Sequence, residues 1–295
     1  MTRTDRREDD GDVPAGAPGR RVTIAGLPLE ICTLRQAVDG IFALVGGEGN
    51  HLVATVNVDQ CLHVLDNAEV HTAFLAARLR FCDGAPLVML SRLLGVGLPS
   101  RVTGADLLPS LCALASRDAR RVLFLGGAEG VPQEAARRLQ IRYPGLIIAG
   151  ALSPPRGFDA EEDEDRMVVQ AVVHARPDLV FVCLGSPRQE LWVHQRADRL
   201  PPAVYLGLGA AIDFAAGRSA RAPLIWQRFG FEWLYRLVHD WERLWKRYLI
   251  NDVRFIAVGA SELWRCWAMG KPPSISSSTV RFEPHQVAPP GSANS

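Results

Sequence analysis

The sequence predicts an α/β fold: a largely parallel β-sheet covered by helices on both faces, followed by a helical appendage at the C-terminal end. Three observations lead there. Short apolar runs alternate with helical patterns along most of the chain. The runs are continuous instead of alternating with polar residues, as in strands buried on both faces. The chain has 295 residues, of which 48% are hydrophobic, enough for one large domain with a sizeable core and an appendage.

Strands are expected at residues 22–24, 52–56, 122–125, 146–149, 179–184 and 204–208. Helices are expected at 34–45, 58–79, 105–116, 132–142, 161–175 and 188–200, with Thr33 capping the first. In a doubly wound sheet of this kind, ligands bind beyond the carboxyl ends of the strands. The chemistry is therefore sought just after each strand. After Pro223 the alternation stops, and helices at 231–249 and 253–267 follow. Of the chain's 7 Trp, all but Trp192 lie in this part: Trp226, Trp233, Trp241, Trp245, Trp264 and Trp267. The domain reading is a disordered tail at 1–20, the α/β core at 21–223, the appendage at 224–270, and a Ser/Pro-rich disordered tail at 271–295.

Composition excludes several classes. With 33 basic against 32 acidic residues, the chain as a whole lacks a nucleic-acid signature, and no nucleic-acid partner is expected. The 6 cysteines contain no Cys-x-x-Cys pair, so free buried thiols are expected rather than zinc or disulfides. The first twenty residues hold no apolar run, and no later stretch approaches 18 uninterrupted apolar residues. A secretory signal and a transmembrane helix are therefore not expected, and membrane contact would be peripheral.

Polar and glycine-rich steps follow the strands. Thr55-Val56-Asn57 ends one strand, where its position alone favours turn chemistry, since Asn readily closes a strand end. Phe81-Cys82-Asp83-Gly84 is either a turn pair or a carboxylate placed as a general base. Arg101 precedes a helix start, either facing a phosphate or simply at the surface. Gly126-Gly127 open a strand–helix turn whose N–H groups suit a diphosphate, although no complete G-x-G-x-x-G is present. Gly185-Ser186-Pro187-Arg188-Gln189-Glu190 follows another apolar strand, placing Arg188 and Gln189 in the first turn of the next helix. The run Glu161-Glu162-Asp163-Glu164-Asp165 contains an Asp-x-Asp, but it reads as a solvated helix start, so no metal and no cofactor are expected. In the segment at 231–249, Arg236, Arg243 and Arg247 form a basic stripe beside an apolar one. Such a helix suits a membrane interface or a fold-back over the site.

These pieces occur in one order: Thr55-x-Asn57, Asp83-Gly84, Arg101-Val102-x-Gly104-x-Asp106, Leu125-Gly126-Gly127, Gly185-x-Pro187-Arg188-Gln189-Glu190, Gly207-x-Gly209-x-x-x-Asp213, Gly217-x-x-x-Arg221-Ala222-Pro223 and Glu232-Trp233-Leu234-Tyr235-Arg236-Leu237. The series resembles the WecG/TagA/CpsF family of glycosyltransferases. One departure is Asp240-Trp241, where the family has Glu-Pro. The resemblance implies a Rossmann-like core and a metal-independent, inverting transferase. The reaction would move a hexose or N-acetylhexosamine-type sugar from a UDP-sugar donor to an undecaprenyl-diphosphate-linked acceptor in cell-surface polysaccharide synthesis. It further implies Asp83 as catalytic base, Thr55 and Asn57 as pocket residues, Gln189 as a donor-sugar contact, Arg101 as a pocket cation and the C-terminal arginines as diphosphate ligands. The expected location is cytoplasmic, peripheral to the inner face of the cell membrane, with a homo-oligomer left open. Two other classes are a Rossmann-type nucleotide-sugar oxidoreductase, which needs the complete glycine fingerprint, and a membrane-recruited scaffold, which leaves the ordered polar steps unexplained.

Overall fold

A computed structural model describes residues 19–219, 252–278, 280 and 282. It begins with a hairpin of β1 (Arg20–Ile24) and β2 (Leu27–Ile31). Six further strands form the central sheet: β3 (His51–Val56), β4 (Leu79–Cys82), β5 (Arg121–Gly126), β6 (Ile147–Leu152), β7 (Leu179–Cys183) and β8 (Val204–Gly207). Their order is β4-β3-β8-β7-β5-β6, and every neighbouring pair is parallel. From β3 the chain moves outward to β4, while the later strands build up on the other side of β3. The strand order reverses between β3 and β8, the position at which such sheets hold ligands.

Side chains alternate between the two faces of the sheet. In β3, Leu52, Ala54 and Val56 join one core and Val53 the other. The first core is covered by α2 (Val58–Asp66), α3 (Ala68–Ala76), α4 (Ala85–Leu93), α7 (Glu162–Ala175) and α8 (Arg188–Gln195). The second is covered by α1 (Leu34–Phe42), α5 (Gly104–Arg117), α6 (Val131–Arg142) and α9 (Ala211–Ala215). The expected three-layer α/β architecture is what folds. Thr33 caps α1 as expected, in a reciprocal pair with Gln36.

Several elements differ from the sequence reading. The single helix expected at 58–79 is two helices, because Asn67 leaves the helical region and its side chain accepts from the N–H groups of Glu69 and Val70. The strand after it, β4, has an arginine inside it. Arg80 is buried, and its guanidinium donates to the carbonyls of Pro28, Phe74, Leu75 and Ala77, so it closes the end of α3. Burial lowers the Arg80 pKa to about 10. Helix α4 was not foreseen, and the helix expected at 188–200 stops at Gln195.

A further helix, α10 (Asp252–Trp267), lies in the stretch read as a separate appendage. It is docked on the core instead. Phe255 is buried in the first core, Gly259 lies against Leu90 of α4, and Arg254 forms a bidentate pair with Asp66 of α2 at 2.7 and 3.0 Å. In the stretch read as a tail, Ile275–Ser277 forms β9, antiparallel to β1 with Arg20 opposite Ser277. The ring of Phe282 lies so close to Gly19 and Gly40 that a Cβ on either would fall within 2.5 Å of it. The tail at 1–18 and the helix expected at 231–249, with Arg236, Arg243 and Arg247, lie outside the described residues. Among the described residues no helix is long and apolar enough to cross a membrane.

Candidate active site at the strand ends

The carboxyl ends of β3, β4, β7 and β8 are joined by direct contacts. The Asp83 N–H donates to the carbonyl of Val56 at 2.7 Å, which holds the end of β4 to the end of β3. Gly84 sits against Asn57, since a Cβ there would lie 3.5 Å from the Asn57 Cβ. The Asn57 side chain caps α2 by accepting from the Asp59 N–H at 2.9 Å. Thr55 is buried, and its hydroxyl donates to the carbonyl of Gly207 at 3.2 Å, linking β3 to β8. The Val102 N–H donates to the Cys82 carbonyl at 2.8 Å, which draws the Arg101 loop back to the end of β4. The charges of Asp83 and Arg101 both bear on the Cys82 thiol, whose pKa burial raises well above its ordinary value. Asp83 and Arg101 are both half-buried.

Glycines let these ends approach one another. A Cβ on Gly104, at the start of α5, would fall 2.8 Å from the Leu208 carbonyl oxygen. One on Gly126 would fall 2.4 Å from the Cys183 carbonyl oxygen, and Gly126 has φ +109°, a conformation open to glycine. The Gly127 N–H donates to that same Cys183 carbonyl at 3.1 Å. The Gly126-Gly127 turn thus presses β5 against β7 as well as leading into α6.

The step after β7 contains a cis Ser186-Pro187 peptide and opens α8. Arg188 makes a bidentate pair with Asp159 at 2.5 and 2.7 Å and lies over the Phe158 ring. Burial raises the Asp159 carboxyl, but the Arg188 hydrogen bonds and charge outweigh it and hold the pKa below the usual range. Gln189 is buried. Its Nε2 donates to Glu190 Oε1 at 2.8 Å, and its Oε1 accepts from the Gly209 N–H at 3.2 Å. Glu190 is wholly enclosed and also accepts from the Ser186 hydroxyl at 2.8 Å. Burial raises the Glu190 pKa, against those hydrogen bonds.

Thr55, Asn57, Asp83, Arg101, Gly126, Gly127, Arg188 and Gln189 therefore lie on elements that meet at one end of the sheet. Asp159 was not foreseen, and Ser186 and Glu190 were named in their motif without a role; all three hold that rim in place. The acidic run is also corrected in part. Asp165 is buried, not solvated, and accepts from Trp192 Nε1 at 2.9 Å, from Arg196 and from Arg199 at 3.2 Å. Among the described residues no group of three or more His, Cys, Asp or Glu is placed to hold a metal ion.

Comparison with known proteins connects this geometry to a family. A model described as the glycosyl transferase WecG/TagA/CpsF family matches residues 22–268. The N-acetylglucosaminyldiphosphoundecaprenol N-acetyl-beta-D-mannosaminyltransferase of Bacillus spizizenii is 35% identical over 197 residues, 67% of this chain and 74% of that protein. The protein of the same name from Bacillus subtilis is 31% identical over 199 residues, covering 67% and 75%. That from Staphylococcus aureus strain MW2 is 29% identical over 230 residues, covering 76% and 87%. A match over that span, on a parallel sheet whose strand ends carry the family's ordered polar steps, means that this chain belongs to the WecG/TagA/CpsF family and is a glycosyltransferase.

Proposed function

We propose that the chain transfers a hexose or N-acetylhexosamine-type sugar from a UDP-sugar to a hydroxyl on an undecaprenyl-diphosphate-linked acceptor, with inversion, during cell-wall or exopolysaccharide synthesis. The activity for which the relatives are named supports the acceptor and the sugar class. The observation that carries the reading is the position of Asp83. It stands at the end of β4, bonded through its own N–H to the end of β3, beside the strand-order reversal.

In this mechanism Asp83 takes the proton of the acceptor hydroxyl. The oxygen attacks the anomeric carbon, the bond from that carbon to the diphosphate oxygen breaks, and UDP leaves from the opposite face. Thr55, Asn57, Arg101, Gly126, Gly127, Arg188 and Gln189 are assigned to the walls and floor that hold the substrates. Arg236, Arg243 and Arg247 are assigned to the leaving diphosphate, because a guanidinium fork pairs with phosphate oxygens and stays charged. No metal takes part. A carboxylate base supplies about 10²–10⁴-fold, so positioning and charge supply the rest.

The enzyme works at the membrane surface in this reading. Trp264 and Trp267 of α10 are 68% and 70% exposed, beside exposed Val253, Ile256 and Met269. Trp at such a surface favours the lipid headgroup region.

A panel of UDP-N-acetylmannosamine, UDP-N-acetylmannosaminuronic acid and UDP-glucose, with membrane extract as acceptor, tests the reading. One donor should yield lipid-linked sugar and free UDP. Asp83→Asn should lower turnover by about 10²-fold or more while UDP binding persists. No transfer from any of the three donors, or wild-type turnover in Asp83→Asn, refutes it.

A further inference from the structure

Glu190 takes no part in the mechanism above, yet it sits next to Gln189 at the floor of the site with no exposed surface. A carboxyl in such a place costs free energy unless its oxygens are bonded. Both are: Oε2 by the Ser186 hydroxyl and Oε1 by Gln189 Nε2, each at 2.8 Å.

The second bond decides which way the Gln189 amide faces. One end of an amide donates and the other accepts, and the two are nearly equal in shape. With Nε2 held by Glu190, Oε1 is left to accept the Gly209 N–H at 3.2 Å. If the amide turned over, oxygen would face oxygen at Glu190 and N–H would face N–H at Gly209, so both bonds would be lost. The pair also fixes Gly207. A Cβ there would lie 2.8 Å from both Gln189 Nε2 and Glu190 Oε1, so bare backbone rests on them. Gly207 and its neighbour are the meeting point of the site. The Gly207 carbonyl takes the Thr55 hydroxyl from β3, and Leu208 lies under Gly104 of α5.

We propose that Glu190 is a positioning residue for sugar transfer: through Gln189 it fixes the turn at 207–209, the floor on which donor and base-bearing strands are registered. The role in transfer rests on the UDP-sugar reading above, whereas the relay from Glu190 to Gly209 does not. Glu190 Oε1 serves as acceptor whether or not the carboxyl is protonated, since a proton on Oε2 can be given to Ser186. The relay therefore depends on an acceptor at Oε1, not on negative charge.

Two substitutions of similar size separate orientation from packing. Glu190→Gln keeps an oxygen for Gln189 and an N–H₂ for Ser186, whereas Glu190→Met fills the space with no acceptor. In the full-length protein, hydrogen exchange of the peptide containing Gly209 should quicken by about tenfold in Glu190→Met, the scale of one lost hydrogen bond. With the UDP-sugar that wild type uses, kcat in Glu190→Met should fall by about 10²-fold, the scale of a misplaced site, and KM should change less. Glu190→Gln should stay within about threefold of wild type in both readouts. Unchanged exchange and kcat in Glu190→Met overturn the proposal, as does a Glu190→Gln variant that is impaired as far as Glu190→Met. If Glu190→Met does not fold, Gln189→Met carries the test by removing the acceptor of the Gly209 N–H, and unchanged exchange and kcat there overturn it. If wild type transfers from no UDP-sugar while Glu190→Met still loses protection at Gly209, the donor reading falls and the relay stands.

Discussion

Replacing Asp165 with alanine should loosen helix α8 from α7 and destabilise the whole domain. Asp165 is 4% exposed and serves three donors: Trp192 Nε1, Arg196 Nε and Arg199. Arg199 is half exposed, so its bond is replaced by water and counts for little. Trp192 is 1% exposed, and its N–H would be left without an acceptor, a cost of about 1–3 kcal/mol. Arg196 would keep the Asp159 carbonyl at 3.2 Å, the Asp159 charge nearby, Gln195 Oε1 at 3.0 Å and its place over the Trp192 ring, but not its hydrogen-bonded carboxylate. Breaking a buried pair from one side costs about 3–5 kcal/mol. The two costs overlap, because one carboxylate serves both donors, so the expected loss is about 4 kcal/mol. For a domain of this size that is a fall in Tm of roughly 8–16 °C. Asp165→Asn keeps one oxygen acceptor and should lose about half as much. Urea unfolding of the three proteins, followed by fluorescence, measures this directly. An Asp165→Ala midpoint within about 0.5 kcal/mol of wild type would refute the reasoning.

Gly207→Ala should destabilise by about 1–3 kcal/mol and cut transfer, since the new Cβ meets two hydrogen-bonded side chains that have nowhere to move; a wild-type unfolding midpoint would show that the pair can yield. Burial raises the pKa of both Glu30 and Glu190, so just above the ordinary glutamate range the folded chain holds protons that the unfolded chain has released. Stability should therefore fall as pH rises through that window, by up to about 1.4 kcal/mol per pH unit for each group; a urea midpoint that is flat or rising there counts against it. Sugar transfer should survive excess EDTA, because Asp165, the second carboxylate of the Asp-x-Asp, is already committed to Trp192 and Arg196; a loss restored by Mn²⁺ or Mg²⁺ would reverse this. Trp264→Glu with Trp267→Glu should reduce flotation with anionic liposomes while leaving the fold intact, and undiminished flotation would remove α10 as a docking face.

The sheet was legible because strands buried on both sides leave continuous apolar runs, and β3, β5, β7 and β8 all do. β4 was not, because Arg80 interrupts its run; only the structure shows that four carbonyls receive that guanidinium. The rim residues Thr55, Asn57, Asp83 and Gln189 could be placed at strand ends in advance, where such sheets put polar groups, but only the ordered family motif distinguished them from ordinary turn residues. The burial of Asp165 and Glu190 could not be foreseen. A charged residue in a charged or helical stretch implies solvent, and burial of this kind depends on partners far away in sequence: Trp192 and Arg196 for Asp165, and the backbone of Gly207 for Glu190. The same limit applied to α10, whose Trp content suggested detachment while Phe255 and Arg254 tie it to the core. A truncation after Pro223 would consequently remove a buried core residue and the β9 strand as well as the appendage, so point substitutions are the cleaner probe.

The pairing of β9 with β1 imposes an order on how the chain is completed. Arg20 of β1 leaves the ribosome long before Ser277, its partner in β9. At bacterial and eukaryotic elongation rates of about 5–20 residues per second, the two are made roughly 10–50 s apart. Throughout that interval one edge of β1 has no native partner, and an open strand edge is a template for pairing with another chain. The nascent protein therefore stays exposed to mispairing until β9 arrives. Chains that terminate before β9 would carry the whole six-stranded sheet beside a β1–β2 hairpin with an uncapped edge.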